Sequence, residues 1–79
     1  MKKIEICGSG CDKYFETLHN FQTIVNKERI KADIIEITDR NIIATKCISN
    51  MPAVFINGKL ISQGKALSEQ EVKDILMQI

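Results

Sequence analysis

The chain lacks long hydrophobic runs and shows no excess of charge of one sign. Its apolar runs are no longer than a short strand, such as Ala53 to Ile56, whereas a helix that crosses a bilayer needs roughly 20 apolar residues. Lysine and arginine number 11 and aspartate and glutamate number 10, spread along the chain, so the net charge is only +1. These absences argue against a membrane protein and against nucleic acid as a partner.

A secretory signal and a recognisable metal-ligand pattern are also missing. The chain begins Met1-Lys2-Lys3-Ile4-Glu5, so an acidic residue follows the two lysines almost immediately. The apolar stretch that such a signal needs is missing. Three cysteines are an odd number for a disulfide scaffold, and the spacing of Cys7, Cys11 and Cys47 fits no paired zinc motif. We therefore expect reduced thiols, no metal, no bound cofactor and a cytoplasmic location.

The composition that remains is typical of a small globular domain. The chain has 79 residues, of which 44% are hydrophobic and 27% are charged. A chain of this length buries one modest core and has no room for a second one. We therefore expect a single domain over residues 1–79.

The first part of the chain predicts a strand followed by a helix. Lys2 to Cys7 alternate between apolar and polar side chains, as a strand does. A glycine-bearing loop, Gly8 to Gly10, follows it. Apolar residues then recur every three or four positions from Tyr14 to Val25, which predicts a helix of about four turns. A capping-box pattern that begins at Ser9 places Cys11 in the first turn of this helix.

The middle of the chain predicts a second strand and a short helix. Ala32 to Ile37 is almost continuously apolar in its second half, which favours a strand covered on both faces. A strand, a helix and a further strand in this order indicate a right-handed parallel βαβ unit. Asp39 is suited to cap a short helix that ends near Lys46.

The last part predicts a hairpin and a final helix. Asn57-Gly58 lies between two strand-like segments, Ala53 to Ile56 and Lys59 to Gln63, and supplies the positive φ angles of a tight turn. Ser68 to Glu71 form a capping box before the last apolar periodicity. The predicted order is βαβαββα, an α/β fold with a four-stranded mixed sheet.

Cys11 is the main candidate for chemistry. It follows a strand and a glycine-bearing loop, at a helix start where free N–H groups and the helix dipole favour the thiolate, the nucleophilic form of the side chain. Lys13 favours the thiolate as well, whereas Asp12 opposes it. A lone cysteine is often a buried, inert thiol, but the flanking glycines offer little side chain to bury this one. We therefore favour a reactive thiol.

The order and spacing of several short motifs resemble those of thioredoxins. They are the GSGC junction between strand and helix, the Met51-Pro52 step before an apolar strand, the FINGK hairpin and the SQGKALSE segment. More narrowly, the chain is similar to the small thioredoxin-like "redox-active disulfide" proteins, which begin at the central βαβ unit. The resemblance implies a thioredoxin-like fold and thiol–disulfide oxidoreduction.

The resemblance also assigns roles to particular residues. Cys11 corresponds to the attacking cysteine, Met51-Pro52 to a cis-proline step that faces it, and Gly64 to the far side of the substrate groove. Without the resemblance, Pro52 is an ordinary trans proline and Gly64 ends a strand. The residues expected to bind substrate are those around the nucleophile: Gly10, Tyr14, Met51, Pro52 and Gly64.

One position departs from the family pattern. The family's resolving cysteine lies three residues after the nucleophile, and Tyr14 stands there in this chain. A phenol cannot form a disulfide, so the usual dithiol cycle cannot run between these two positions. Tyr14 begins the apolar face of its helix, and we expect half-buried packing with the hydroxyl at the surface.

Four explanations of this departure remain open. In a monothiol mechanism, glutathione or another external thiol resolves a mixed disulfide on Cys11. Cys7 is a candidate resolving partner if the loop lets the two Cα atoms approach within about 7 Å, and Cys47 is a further one. The fourth explanation is a binding module or thiolate metal binder without catalysis. Apart from these four, an iron–sulfur cluster shared between two chains ranks last.

Two further ionisable residues are weaker candidates. Glu5 occupies the place where the resemblance implies a buried acid that relays protons, although an alternating strand is equally compatible with a solvated side chain. His19 lies on the flank of the first helix, away from Cys11, and we expect it at the surface rather than as a catalytic base.

Overall fold

A computed structural model describes residues 2–8, 11–46 and 50–78 of the chain. The elements, in chain order, are β1 (Lys2–Cys7), α1 (Asp12–Lys27), β2 (Ala32–Ile37), α2 (Arg40–Thr45), β3 (Ala53–Ile56), β4 (Lys59–Gln63) and α3 (Glu69–Gln78). The predicted βαβαββα order is confirmed. In these ranges, no helix combines the length and the apolar character that a membrane crossing requires.

The strands form one mixed sheet in the order β2-β1-β3-β4. β1 runs parallel to β2 and antiparallel to β3, and β3 runs antiparallel to β4. β2 therefore lies at an edge, and Ile35 on this strand is 38% exposed. The expectation that β2 is covered on both faces is wrong, because the short α2 packs its Ile43 over Ile37 at the end of β2 and leaves Ile35 uncovered.

Apolar side chains pack on both faces of the central strands. On one face, residues of β1 and β3 such as Ile6 and Val54 pack with Phe21 of α1 and Leu76 of α3. On the other face a smaller cluster forms from Cys7, Ile37, Ile43, Ala53 and Phe55. β1 is one of the two inner strands, and the loop that leads to Cys11 leaves from its end.

The hairpin between β3 and β4 has the predicted two-residue turn. Asn57 and Gly58 have φ angles of 53° and 83°, and Ile56 pairs with Lys59 across the turn. These are the two left-handed positions that a type I′ turn requires. Asn57 also binds the backbone of Lys3, accepting its N–H at 3.0 Å and donating to its carbonyl at 2.8 Å. The turn is therefore fastened to the central strand.

The helix starts agree with two of the three predicted caps. The Glu71 N–H donates to Ser68 Oγ at 3.2 Å, and the Ser68 N–H donates to Glu71 Oε1 at 3.1 Å, so the capping box of α3 is confirmed. Asp39 Oδ1 caps α2 by accepting the Asn41 N–H at 2.8 Å. α1 begins at Asp12, so Cys11 is its N-cap and does not lie in the first turn as predicted, and Ser9 lies outside the described residues.

Two buried polar side chains of α1 hold the segment that leads into α3. Asn20 Nδ2 donates to the Leu67 carbonyl at 2.7 Å, and Thr17 Oγ1 accepts the Leu67 N–H at 3.2 Å. Thr17 is fully buried and Asn20 is 9% exposed. Because an unpaired buried backbone group is costly, these bonds fix where α3 packs against α1.

We predict that Thr17→Val lowers the free energy of unfolding by about 1–2 kcal/mol, because the similarly shaped side chain leaves the buried Leu67 N–H without its acceptor. Urea unfolding monitored by circular dichroism measures the change. Thr23→Val in the same helix is the matched control, since the Thr23 hydroxyl only approaches exposed His19, at 3.5 Å. Equal stability of the two variants would contradict the structural role of Thr17.

Candidate active site

Cys11 stands at the N-cap of α1 with its side chain exposed and unpaired by a disulfide. Its backbone is extended, with φ of −77° and ψ of 168°, and its carbonyl accepts the Phe15 N–H at 3.1 Å. The Cys11 side chain makes no capping hydrogen bond. An N-cap side chain normally accepts from the N–H groups of the first turn. Because its side chain is exposed, the Cys11 thiol is accessible to a disulfide in solution.

The Met51-Pro52 step lies beside the end of β1. Cys7, the last residue of β1, pairs with Ala53, the first residue of the antiparallel strand β3. Pro52, which precedes Ala53, therefore lies beside the point where the chain leaves β1 for the loop to Cys11. Pro52 is buried, and the Met51-Pro52 peptide bond is cis. The Met51 side chain is exposed, with 39% of its surface accessible.

Gly64 lies against the same proline. Its N–H donates to the Pro52 carbonyl at 3.0 Å, and its φ angle is 80°, a left-handed conformation that favours glycine. A Cβ atom at Gly64 would lie 3.1 Å from Cβ of Asn50. The structure therefore brings Gly64 and Pro52 together.

Tyr14 is buried, with 1% of its surface accessible. Its ring packs on Gly8 so closely that a Cβ atom there would lie 2.3 Å from the ring atom Cδ1. Its hydroxyl donates to Glu36 Oε1 at 3.1 Å. The expectation of a half-buried ring is wrong, because the missing side chain of Gly8 leaves room for the ring and Glu36 supplies a partner for the hydroxyl.

An open groove of about 670 Å³ lies between the start of α1, the end of β2 and α2. Phe15, which is 55% exposed and one turn beyond Cys11, forms one wall, and Met51 forms another. The remaining lining residues come from β2, the following loop and α2: Tyr14, Glu36, Thr38, Arg40, Ile43 and Ala44. The groove is mostly apolar, with one acid and one base. Such a surface suits a peptide or a small organic molecule.

Cys7 differs from Cys11 in its exposure to solvent. It is a free cysteine with no accessible surface. Burial raises the pKa of the Cys7 thiol; nearby Lys46 opposes this shift and Glu5 adds to it. Since the thiolate is the reactive form, the Cys7 thiol is the less reactive of the two in the folded protein.

Glu5 and Lys46 form an ion pair beneath the sheet that the sequence did not reveal. Glu5 is 7% exposed, and its Oε2 lies 3.3 Å from Lys46 Nζ. The same ammonium lies 4.6 Å from the centroid of the Phe55 ring, a cation–π geometry. Of the two environments weighed for Glu5, the buried one is observed. Lys46 follows a predicted helix and Glu5 lies in a predicted strand, so only the packing of α2 on the sheet brings them together.

Residues 2–77 of the chain match a family described as thioredoxin domain. A thioredoxin of Methanocaldococcus jannaschii is 34% identical over 76 residues, which span 96% of this chain and 87% of that protein. The chain belongs to the thioredoxin family. A second thioredoxin, from Methanothermobacter thermautotrophicus, is 29% identical over 76 residues, which span 96% of this chain and 99% of that protein.

The thioredoxin family, to which the chain belongs, is a family of thiol–disulfide oxidoreductases whose substrates are proteins and other disulfides. Cys11, Tyr14, Pro52 and Gly64 lie at or near this end of the sheet. Gly10 and Cys47 lie outside the described residues, so their roles stay predictions. In the ranges that are described, no three potential metal ligands cluster together.

We predict that Lys46→Gln lowers the free energy of unfolding by about 1–3 kcal/mol, because it leaves the Glu5 carboxylate buried without its cation. Lys65→Gln is the matched control, since its partner Glu71 is exposed and such pairs contribute less than about 1 kcal/mol. Urea unfolding at neutral pH compares the two variants. A loss from Lys46→Gln no larger than that from the control would contradict the buried pair.

We predict that the phenol of Tyr14 ionises only in strong base. Burial, and then its hydrogen bond to Glu36, raise its pKa from 10.0 to about 12. Tyr14 is the single tyrosine and the chain has no tryptophan, so tyrosinate absorbance reports on this side chain alone. A midpoint near 10 in the folded protein would contradict its burial.

The raised pKa of Tyr14 also makes the free energy of unfolding depend on pH in the alkaline range. A raised pKa favours the neutral phenol in the folded state, so the contribution is complete below pH 10 and is lost as the pH rises towards 12. We expect Tyr14→Phe to lose less stability than the parent protein over this interval, because phenylalanine does not ionise. Urea unfolding at several pH values in the interval measures both proteins.

Proposed function

We propose that the protein reduces or exchanges disulfides through Cys11 alone. The Cys11 thiolate attacks one sulfur of a substrate disulfide, a new S–S bond forms to Cys11, and the old one breaks. The leaving thiolate takes a proton from water. An external thiol, as its thiolate, then attacks the mixed disulfide and releases Cys11, and a second external thiol completes the reduction in solution. Two external thiols are oxidised to one disulfide for each substrate disulfide reduced.

The observation that carries this proposal is the contrast between Cys11 and Tyr14. An exposed thiol occupies the N-cap of α1 in a member of the thioredoxin family. Three residues later, where the resemblance assigns the resolving cysteine, a buried tyrosine packs on Gly8 and binds Glu36. This arrangement supports a nucleophile that depends on a thiol from outside.

The state of Cys7 supports an external thiol over an internal one. To resolve a mixed disulfide on Cys11, the Cys7 sulfur would have to leave an interior in which it has no accessible surface. Burial also disfavours its thiolate, the form that attacks. Glutathione is our candidate for the external thiol, and a reducing compartment such as the cytoplasm is the expected setting for the two free thiols.

The test is the fate of a mixed disulfide on Cys11. Reduced protein is incubated with oxidised glutathione, excess reagent is removed, and intact mass is followed over time. We expect one glutathione for each chain, held at Cys11 until glutathione or another thiol is added. Cys11→Ser should take up none under these conditions and should lose turnover of a disulfide substrate.

Cys7→Ala and Cys47→Ala are the controls for an internal partner. If either cysteine resolves the mixed disulfide, glutathione leaves the parent protein without added thiol and stays on that variant. We expect instead that turnover in both variants remains within about twofold of the parent rate. Failure of Cys11 to form any mixed disulfide would favour the non-catalytic binding module.

A further inference from the structure

Arg40 gives the groove its positive charge. It is the first residue of α2 and lines the groove together with Phe15, Ile43 and Met51. Among the described residues that line the groove, no other side chain is cationic. The other charged groove residue, Glu36, accepts the Tyr14 hydroxyl at 3.1 Å.

Arg40 has no carboxylate partner in the described parts of the chain. The ion pairs found there join Lys46 to Glu5, Lys65 to Glu71 and Lys73 to Glu28. Glu36 shares the groove with Arg40 but is absent from these pairs and binds Tyr14 instead. The guanidinium is therefore available to a molecule in the groove.

A guanidinium beside apolar walls is a suitable receptor for a carboxylate. Arginine presents two parallel N–H donors that match the two oxygens of a carboxylate. A cleft with low-dielectric walls strengthens the field of a charge inside it. Phe15 and Met51 supply exposed apolar walls here. Because Glu36 repels anions, a carboxylate is expected to bind next to Arg40.

We propose that Arg40 is a specificity-determining residue that selects disulfides with a carboxylate close to the reacting sulfur. This inference rests on the proposed function, in which Cys11 attacks that sulfur. Phe15 links the two sites, since it lines the groove with Arg40 and lies one turn beyond Cys11. The groove, at about 670 Å³, has room for a substituent the size of a short peptide.

The test compares three small disulfides with equal spacers and different charges. Dithiodipropionate is anionic, bis(2-hydroxyethyl) disulfide is neutral and cystamine is cationic. Acid quenching and intact mass give the rate of mixed-disulfide formation at Cys11 for each. We expect Arg40→Gln to slow the reaction with the anion by about three- to tenfold relative to the neutral probe. The reaction with cystamine should be unchanged or faster.

The ratio of rates separates recognition from a general effect on the thiol. If Arg40 only made Cys11 more reactive, Arg40→Gln would slow all three probes equally, which would contradict the proposal. Arg40→Lys should keep part of the preference, because it keeps the charge but not the paired donors. Arg29→Gln, at the far end of α1, is the matched control and should leave the ratio unchanged.

Salt provides an independent readout. The preference of the parent protein for dithiodipropionate should decrease as sodium chloride is raised, because exposed charges are screened. In Arg40→Gln the ratio should depend less on salt. A ratio that is equal in the parent protein and Arg40→Gln overturns the inference, while reaction with the neutral probe shows that Cys11 still works as proposed. No reaction with any probe means that the proposed function itself has failed.

Two larger substrates show whether the carboxylate belongs to a small molecule or to a protein. One is oxidised glutathione, and the other is a disulfide-linked peptide pair with aspartate next to cysteine, compared with its asparagine analogue. A dependence on Arg40 with glutathione supports a small-molecule carboxylate. A dependence with the aspartate peptide and not with its analogue supports an acidic protein substrate. Independence of Arg40 with both substrates contradicts the inference.

Discussion

The packing of Tyr14 on Gly8 is the contact on which the site depends. It places an aromatic ring against the end of the central strand, and the hydroxyl on this ring reaches Glu36 on the neighbouring strand. One side chain thereby joins α1, β1 and β2 near the start of the helix that begins after Cys11. The ring fills the space between helix and sheet, and the groove forms beside it. Rigid support of this kind is what a reactive group needs to keep its geometry.

Local patterns were sufficient to predict the architecture. The two-residue alternation in β1, the three- and four-residue spacing in α1, the Asn57-Gly58 turn and the capping box at Ser68 each specify a conformation within a few residues. The same patterns placed Cys11 near the start of α1, although it is the N-cap and not a residue of the first turn. These features were predictable because their physical causes are local in the sequence.

The errors, and the ion pair that the sequence did not reveal, concern properties that arise only when distant segments meet. Tyr14 is buried because Gly8 leaves space for its ring and Glu36 accepts its hydroxyl, and the pattern of α1 contains neither fact. Ile35 is exposed because α2 is too short to cover all of β2. The partner of Glu5 comes from the end of α2. In each case the environment of a side chain depends on the tertiary arrangement of residues far apart in the chain.

The short helix α2 has a cation at each end, and the two differ in their surroundings. Lys46, at its C-terminal end, is tied to an acid under the sheet, whereas Arg40, at its first residue, faces the groove. Ile43 lies between them and contributes both to the cluster under the sheet and to the groove wall. A substitution that shifts α2 on the sheet would therefore also shift one wall of the groove. The helix that anchors Lys46 under the sheet also sets the position of Arg40 in the groove.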